Sequence, residues 1–229
     1  MSAVNIPMPR EQLERVVRQI VRQRVAAGPQ AGGAQGPAYT PNLVVNISAR
    51  HMHLSPADLA TLFGPQAELT VFRWLYQPGE FASEQTVTII GPRRRMIENV
   101  RILGPARGAS QLEISATDAV ALGIDAPVRP SGNIDGTPGC LVLGPTGAVD
   151  LRQGVIRAER HVHMTPADAA FYGFKDRQYV KLRVQGDCAA TFEGILCRVD
   201  PRFLLEVHLD TDEGNACNLV SATGVELLA

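Results

Sequence analysis

The stretch Arg50-His51-Met52-His53-Leu54-Ser55-Pro56-Ala57-Asp58 decides how the rest of the chain is interpreted. It places two of the five histidines one residue apart, directly before a predicted helix start. On a strand, residues two apart point to the same face, so His51 and His53 can converge on one atom. Ser55-Pro56 fits an N-cap followed by proline at the first helical position, with an acid three residues after the cap. The stretch therefore predicts a strand end followed by a capped helix.

The same pattern returns later in the chain as Arg160-His161-Val162-His163-Met164-Thr165-Pro166-Ala167-Asp168. Two further pairs of motifs recur in the same order, namely Leu112-Glu113-Ile114 with Thr117-Asp118, and Leu205-Glu206-Val207 with Thr211-Asp212. A segment rich in glycine and proline, residues 127–145, follows the first set. We interpret the chain as an internal duplication, with related domains at residues 42–145 and 146–229.

Each half is predicted to consist mainly of short strands. Alternating and β-branched apolar residues mark them at Leu43–Ile47, Thr86–Ile90, Val100–Leu103, Gln178–Val184, Thr191–Val199 and Leu204–Leu209. The predicted fold class is mainly β, with two similar β-barrel domains, each capped by a short helix.

The N-terminal region has a different composition. Residues 1–27 are predicted to form an amphipathic helix, because apolar residues recur at helical spacing and arginines occupy the other face. Residues 28–41 read as a flexible linker. We favour a docking peptide over a helix that folds back onto the body. A membrane-surface helix is disfavoured because the apolar face lacks aromatic anchors.

Charge and composition exclude several classes. A formal net charge of -1 and a pI near 6.5 give no basic footprint for nucleic acid. No apolar run approaches the ~20 residues of a membrane helix, so we expect a soluble protein. The four cysteines show no CxxC spacing and no signal peptide is recognisable, so we expect a reduced cytosolic protein with buried thiols.

Each pair of histidines needs a third ligand to form a metal site, because a catalytic zinc usually has three protein ligands and an open position. His208 is the one histidine outside the two pairs, and it completes the second pair, His161 and His163. Matching LEISATD to LEVHLDTD sets Ser115 opposite His208. Serine is a poor zinc ligand, so Glu113, two positions away on the same strand face, is the predicted third ligand for the first pair. Zinc is the default, with cobalt, nickel or iron left open.

Three further features have a functional and a plain interpretation. Arg107 could clamp a phosphate or carboxylate, or be a solvated loop arginine. Residues 129–139 could form a substrate loop or an ordinary crossover. Arg93-Arg94-Arg95 could meet a nucleotide phosphate, but a solvated hairpin is favoured. Two metal ions together would suggest hydrolysis, acyl transfer or phosphoryl transfer.

Five motifs in order carry a resemblance to a known family: RHMHLSPAD, GPARGASQLEISATDAVALGI, RPSGNIDGTPG, GVIRAERHVHMTPADA and LEVHLDTDEGNAC. They resemble the phosphate propanoyltransferases of the PduL type, phosphotransacylases of bacterial microcompartments. The resemblance covers about residues 42–220. It implies two similar β-barrel domains, two zinc ions per chain, and reversible transfer of a short acyl group such as propionyl between coenzyme A and phosphate.

The resemblance also implies roles for individual residues. The metal ligands would be His51, His53 and Glu113 for one zinc, and His161, His163 and His208 for the other. Arg107 would be the active-site arginine that binds phosphate. Because the histidines are then all occupied, we expect direct attack by phosphate without an acyl-enzyme. The residues that contact coenzyme A are not identified.

The N-terminal helix of the family directs its members to the microcompartment lumen. By resemblance, residues 1–27 would contact shell or core proteins there. Charge and composition predict neither nucleic acid nor a membrane as a partner, and a homo-oligomer is possible. Two alternatives remain. One is a dinuclear zinc hydrolase acting on esters or thioesters, and the other is a structural metal protein of the microcompartment.

Overall fold

A computed structural model describes residues 39–229 of the chain. The predicted N-terminal helix and most of the predicted linker lie outside the described residues. Residues 41–229 form one compact unit.

The described chain is mainly β, as the sequence predicts. Its strands are β1 Val44–Ser48, β2 His51–His53, β3 Val71–Trp74, β4 Phe81–Ile90, β5 Met96–Gly104, β6 Gln111–Glu113, β7 Val128–Arg129, β8 Cys140–Leu143, β9 Ala148–Leu151, β10 Val155–Ala158, β11 His161–Met164, β12 Tyr179–Gln185, β13 Ala190–Val199, β14 Glu206–Asp210 and β15 Gly224–Leu228. The helices are α1 Pro56–Phe63, α2 Ala116–Leu122, α3 Pro166–Tyr172 and α4 Thr211–Ala216, followed by a 3-10 turn at Leu219–Ser221.

The strands form two sheets. In the first sheet the order is β7-β10-β6-β2-β5-β4-β8-β9, with β3 paired to β4. In the second sheet the order is β1-β14-β11-β13-β12-β15. The two histidine strands have equivalent neighbours, because β2 lies between antiparallel β6 and parallel β5, and β11 lies between antiparallel β14 and parallel β13.

The two sheets exchange strands between the halves of the chain. Strand β1 belongs to the second sheet, where it pairs in parallel with β14 and sets Asn46 opposite His208. Strand β10 belongs to the first sheet, where it pairs in parallel with β6 and sets Ile156 opposite Glu113. The predicted division near residue 145 stays a prediction, but the sheets draw strands from both sides of it.

Four strands run directly into capped helices. The caps are Ser55 before α1, Ser115 before α2, Thr165 before α3 and Asp210 before α4. Each cap residue is extended, and its side chain accepts a hydrogen bond from the backbone N–H three residues later. The caps therefore fix where β2, β6, β11 and β14 end.

Each sheet covers its own apolar core. Met52 and Leu54 are fully buried in the first core with Leu62 of α1, and Val162 and Met164 are fully buried in the second. Since neighbouring residues on a strand alternate between faces, the histidines of β2 and β11 project from the opposite face. The apolar residues of these strands anchor the sheets and leave the histidines free for a site.

Polar contacts join the helices to the strands and to one another. Asp212 of α4 accepts a hydrogen bond of 2.7 Å from the backbone N–H of Thr117 in α2. Arg50 pairs with Asp118 at 2.9 Å, and Arg160 lies 3.4 Å from Glu213. The arginine before each histidine pair thus contacts the acid in the first turn of a helix.

Three of the four cysteines are buried as free thiols, namely Cys140, Cys197 and Cys217, whereas Cys188 is exposed. Burial raises the pKa of Cys140 to about 12 and that of Cys197 to about 11. These two thiols therefore stay protonated near neutral pH. Among the described residues, no helix is long and apolar enough to cross a membrane.

Candidate active site

The first histidine group consists of His51 and His53 on β2 and Glu113 on β6. The register sets His51 directly opposite Glu113, and their side chains approach to 3.5 Å between Nε2 and Oε2. Nε2 of His53 lies 4.0 Å from Oε1 of the same carboxylate. One ligand atom from each residue lies within 4.8 Å of the others, and all three residues are buried. The structure thus brings together the three predicted residues of the first site.

The ring of His51 is oriented by a backbone carbonyl. Its Nδ1 lies 2.8 Å from the carbonyl oxygen of Ala49. A carbonyl can only accept, so Nδ1 carries a proton, and Nε2 is the ring nitrogen that faces Glu113. His161 repeats this contact, since its Nδ1 lies 2.8 Å from the carbonyl oxygen of Glu159. A backbone partner on one ring nitrogen is the arrangement typical of metal-binding histidines.

The carboxylate of Glu113 is fixed by polar neighbours. Oε1 accepts hydrogen bonds from Gln111 Nε2 at 2.6 Å and from Ser131 Oγ at 2.8 Å. Burial opposes ionisation of Glu113, yet His51 and His53 hold its pKa below the ordinary value. Glu113 is therefore an anion whose Oε1 is anchored and whose Oε2 faces His51.

The second histidine group consists of His161 and His163 on β11 and His208 on β14. The register sets His161 opposite His208, and their rings stack with centroids 4.6 Å apart. His163 stacks on Phe203 at 4.1 Å. Their ligand atoms also lie within 4.8 Å of one another. The structure therefore brings together the three predicted residues of the second site as well.

Several imidazoles of the two groups are uncharged. Burial, together with neighbouring histidines, lowers the pKa of His53 and of His161 to about 3 and that of His163 to about 2. Within residues 39–229, Nδ1 of His53, both ring nitrogens of His163 and Nε2 of His208 are buried without a hydrogen-bond partner. Unpaired buried polar atoms are costly, and neutral imidazole nitrogens are good ligands for zinc. Both groups fit a metal ion on these grounds.

One cleft is shared by the two groups. Its lining includes Glu113 from the first group, His161 and His208 from the second, and Ser48 at the end of β1. A molecule bound in this cleft would contact residues of both groups.

Arg107 connects to the first group through Ser131. Its Nη1 lies 3.5 Å from Ser131 Oγ, and its Nη2 lies 3.3 Å from Glu80 Oε1. The backbone N–H of Arg107 also donates to Leu54 at 2.8 Å, which ties the loop to the end of β2. Arg107 is thus a tethered arginine whose neighbour holds Glu113. The loop of residues 129–139 takes part in the site through Ser131.

A second arginine and a ring of polar residues were not predicted from the sequence. Arg198 on β13 lies beside His163 in the register, with its guanidinium 5.8 Å from the centre of the Phe203 ring. Burial, followed by the charge of Arg107, lowers its pKa. Glu206, Asn46 and Gln77 form the surroundings of His208. Arg198, Asn46 and Gln77 belong to none of the repeated motifs. Glu206 lies in one, the repeated Leu-Glu motif, but its contacts, like theirs, depend on strand exchange and on loop conformation.

The structure corrects one alignment made from the sequence. Matching LEISATD to LEVHLDTD also sets Glu113 opposite Glu206, but the strand register gives Glu113 the position of His208, since each lies opposite the first histidine of its pair. The helix caps agree, because Glu113 precedes Ser115 by two residues, as His208 precedes Asp210. The match based on the shared Leu-Glu letters is therefore wrong by two residues.

Comparison with known proteins gives the class. The family model described as phosphate propanoyltransferase matches residues 44–220. A phosphate propanoyltransferase of Planctopirus limnophila is 52% identical over 230 residues, covering 99% of this chain and 94% of the relative. Another, from Thermotoga maritima, is 52% identical over 180 residues, covering 78% of this chain and 85% of the relative. A third, from Klebsiella pneumoniae, is 46% identical and covers 78% and 84%.

These findings define an enzyme of the acyltransferase class. More particularly, the chain belongs to the phosphate propanoyltransferase family, as the resemblance of its motifs predicts.

Proposed function

We propose that the protein transfers a short acyl group, propionyl or similar, reversibly between coenzyme A and phosphate, which gives an acyl phosphate and free coenzyme A. Family membership supports the reaction class. The observation that carries the proposal is the cleft lined by residues of both histidine groups, namely Glu113 of the first with His161 and His208 of the second. Arg107 contacts Ser131, which in turn holds Glu113. Acyl-CoA and phosphate are the proposed partners of this site.

The proposal includes two zinc ions per chain. His51, His53 and Glu113 would hold one, and His161, His163 and His208 the other. Bound zinc would supply Lewis acidity that stabilises negative charge on phosphate and on the thioester oxygen. The support is the buried, neutral state of His53, His161 and His163, and the ring nitrogens of His53 and His163 that have no hydrogen-bond partner among residues 39–229.

The residues of the chain would bind and orient phosphate. Arg107 offers the planar fork that matches two phosphate oxygens, and it would exchange its contact with Glu80 for the anion. Ser131 stands between Arg107 and Glu113, so phosphate bound to the arginine would lie beside the first group. Arg198 adds a second positive charge near His163.

Direct attack by phosphate follows from this arrangement. A phosphate oxygen forms a bond to the thioester carbonyl carbon while the carbon–sulfur bond breaks, and the sulfur leaves as the thiolate of coenzyme A. Holding the two reactants together supplies the rate enhancement, so a nucleophile on the protein is unnecessary. The described cysteines with resolved pKa shifts, among them Cys140 and Cys197, are buried and protonated.

The experiment combines metal analysis with an assay of propionyl-CoA and phosphate. We expect about two zinc ions per chain, propionyl phosphate and free thiol in equal amounts, loss of both products after chelation, and recovery on adding zinc. Thiol release at the same rate without phosphate would identify a thioester hydrolase instead. A trapped acyl-enzyme, or exchange of labelled coenzyme A without phosphate, would contradict direct attack.

We also propose that the two halves arose by duplication and that each completes a β-barrel capped by a short helix. The equivalent neighbours of β2 and β11, and the capped helices that follow them, support this proposal. It would fail if an alignment of many relatives gave no internal similarity beyond the two histidine pairs.

A further proposal concerns residues 1–27, which we infer to be a targeting helix for the microcompartment lumen, bound there to shell or core proteins. Its support is the amphipathic pattern of the sequence. Removing residues 1–40 should leave the specific activity largely intact but change self-association and abolish packaging of the enzyme. A truncated protein that still co-purifies with microcompartments would overturn it.

A further inference from the structure

Each histidine group has four corners, because two antiparallel strands present two side chains each to the same face. In the first group, His51 lies opposite Glu113 and His53 lies opposite Gln111. In the second, His161 lies opposite His208 and His163 lies opposite Glu206. The fourth corner is thus an amide in the first group and a carboxylate in the second.

Glu206 is held firmly at that corner. It is 3% exposed, and its Oε1 accepts a hydrogen bond of 2.6 Å from Asn46 on β1. Its Oε2 accepts another of 2.6 Å from Gln77, in the loop between β3 and β4. Gln77 is itself fixed by the backbone of Leu204, to which it donates and from which it accepts. A buried carboxylate with this many dedicated partners has a defined position.

The carboxylate lies against the ring of a predicted ligand. Its Oε2 is 3.2 Å from Nε2 of His208, a buried nitrogen without a hydrogen-bond partner among residues 39–229. Nδ1 of His208 lies 3.1 Å from Ser48 Oγ. Both ring nitrogens therefore have an oxygen beside them, and the ring is restrained from two sides.

The two histidine groups have the same number of carboxylates, one each, only if Glu206 is included in the second group. The first group contains one carboxylate, Glu113, whereas the three ligands of the second group are imidazoles. A divalent ion among three neutral imidazoles in a buried site retains its full charge, which burial makes costly. Glu206 returns one negative charge to the second group.

We propose that Glu206 is a positioning residue of the second histidine group: it restrains the ring of His208 and supplies the negative charge that Glu113 supplies as a ligand in the first group. This inference rests on the proposed function, since it assumes that both groups bind metal. Carboxylates behind ligating histidines typically change metal affinity 10–100-fold.

The test titrates the second group alone. His53→Ala removes one ligand of the first group, and Glu206→Gln is then added to this background. Zn²⁺ affinity is measured at neutral pH by competition with a chromophoric chelator. We expect His53→Ala to bind one ion tightly and the double variant to bind it about 10–100-fold more weakly. The matched control is Glu226→Gln, which removes a half-exposed carboxylate of the same sheet and should leave the affinity unchanged.

Folding is monitored separately by thermal unfolding of the metal-free proteins. Glu206→Asp keeps the negative charge, so it should retain most of the Zn²⁺ affinity. This variant keeps the inference testable even if Glu206→Gln unfolds. A folded Glu206→Gln double variant with the affinity of His53→Ala would overturn the inference, and so would a Glu206→Asp variant as weak as His208→Ala. Wild-type protein that binds two ions but makes no propionyl phosphate would contradict the proposed function alone.

Discussion

The two histidine groups share one strand geometry but differ in where the negative charge lies. In the first group the carboxylate of Glu113 faces the histidines and neutral side chains hold it from behind. In the second, three imidazoles face one another and the carboxylate of Glu206 stands behind. The first group is also the one joined to Arg107 through Ser131. The same backbone pattern can thus serve two chemically distinct sites.

The largest expected effect tests whether both groups are needed. His53→Ala and His163→Ala should each lower phosphate-dependent transfer at least about a thousandfold and each remove one of two zinc ions, because each deletes a predicted ligand. Activity is compared with metal content per chain, and Thr61→Ala on the exposed side of α1 is the control. If one of the histidine variants kept full activity, the two groups would not act together.

The next prediction asks whether the first group is the phosphate side. Arg107→Ala should lower kcat/KM about a hundredfold and raise the KM for phosphate, because the fork that binds the anion is lost. Arg107→Lys should recover only part of this, and Arg183→Ala, another partly exposed arginine, should have no effect. If Arg198→Ala raised the KM for phosphate more than Arg107→Ala did, phosphate would be assigned to the second group instead.

The groups also affect stability as the pH changes. Folding lowers the pKa of His161 to about 3 and that of His163 to about 2, from the ordinary 6.5, so the unfolded chain binds more protons. Their contribution to stability is therefore complete above about pH 6.5 and is lost as the pH falls toward 3.

For metal-free protein we expect the free energy of unfolding to fall steeply between pH 6 and 4. Each histidine that stays neutral on folding contributes a slope of about 1.4 kcal/mol per pH unit. His163→Gln should reduce the slope by about that amount, as measured by urea unfolding at several pH values. An unchanged slope would mean that His163 is charged in the folded protein.

The smallest expected effect concerns the hydrogen bonds that fix the carboxylate of Glu113. Ser131→Ala removes one of the two hydrogen bonds to Oε1, so the first group should bind zinc about tenfold more weakly while the second is unaffected. Titration in a His163→Ala background isolates the first group, with Ser221→Ala as the control. Equal weakening of both groups would show that Ser131 supports the fold as a whole.

Much of the fold and the site could be predicted from the sequence because two short-range rules determine them. The alternation of side chains along a strand brings His51 and His53 to one face, and the N-cap at Ser55 marks the end of that strand. The predicted strand Thr191–Val199 differs from the observed β13 by one residue at its start, and Gln178–Val184 differs from β12 by one residue at each end. Local patterns of this kind do not depend on the rest of the chain.

The residues that the sequence did not reveal depend on long-range pairing. Asn46 reaches Glu206 because β1 pairs with β14, and no local signal specifies a partner 160 residues away. The alignment of the Glu113 motif with the His208 motif, by contrast, could have used a local signal. His53, Glu113, His163 and His208 each stand two residues before a helix cap, so counting back from the caps gives the correct register.

The exchange of strands has a consequence for the order in which the molecule can be completed during synthesis. Strand β1 is among the first parts of the described chain to leave the ribosome, yet its partner β14 is among the last. Until residue 210 has emerged, β1 cannot pair with β14, and His208 and Glu206 are absent from the second group. Pairing so distant in sequence is slow to form. The second histidine group can thus be assembled only after residue 210 has emerged, whereas β2, β5 and β6 of the first can pair much earlier.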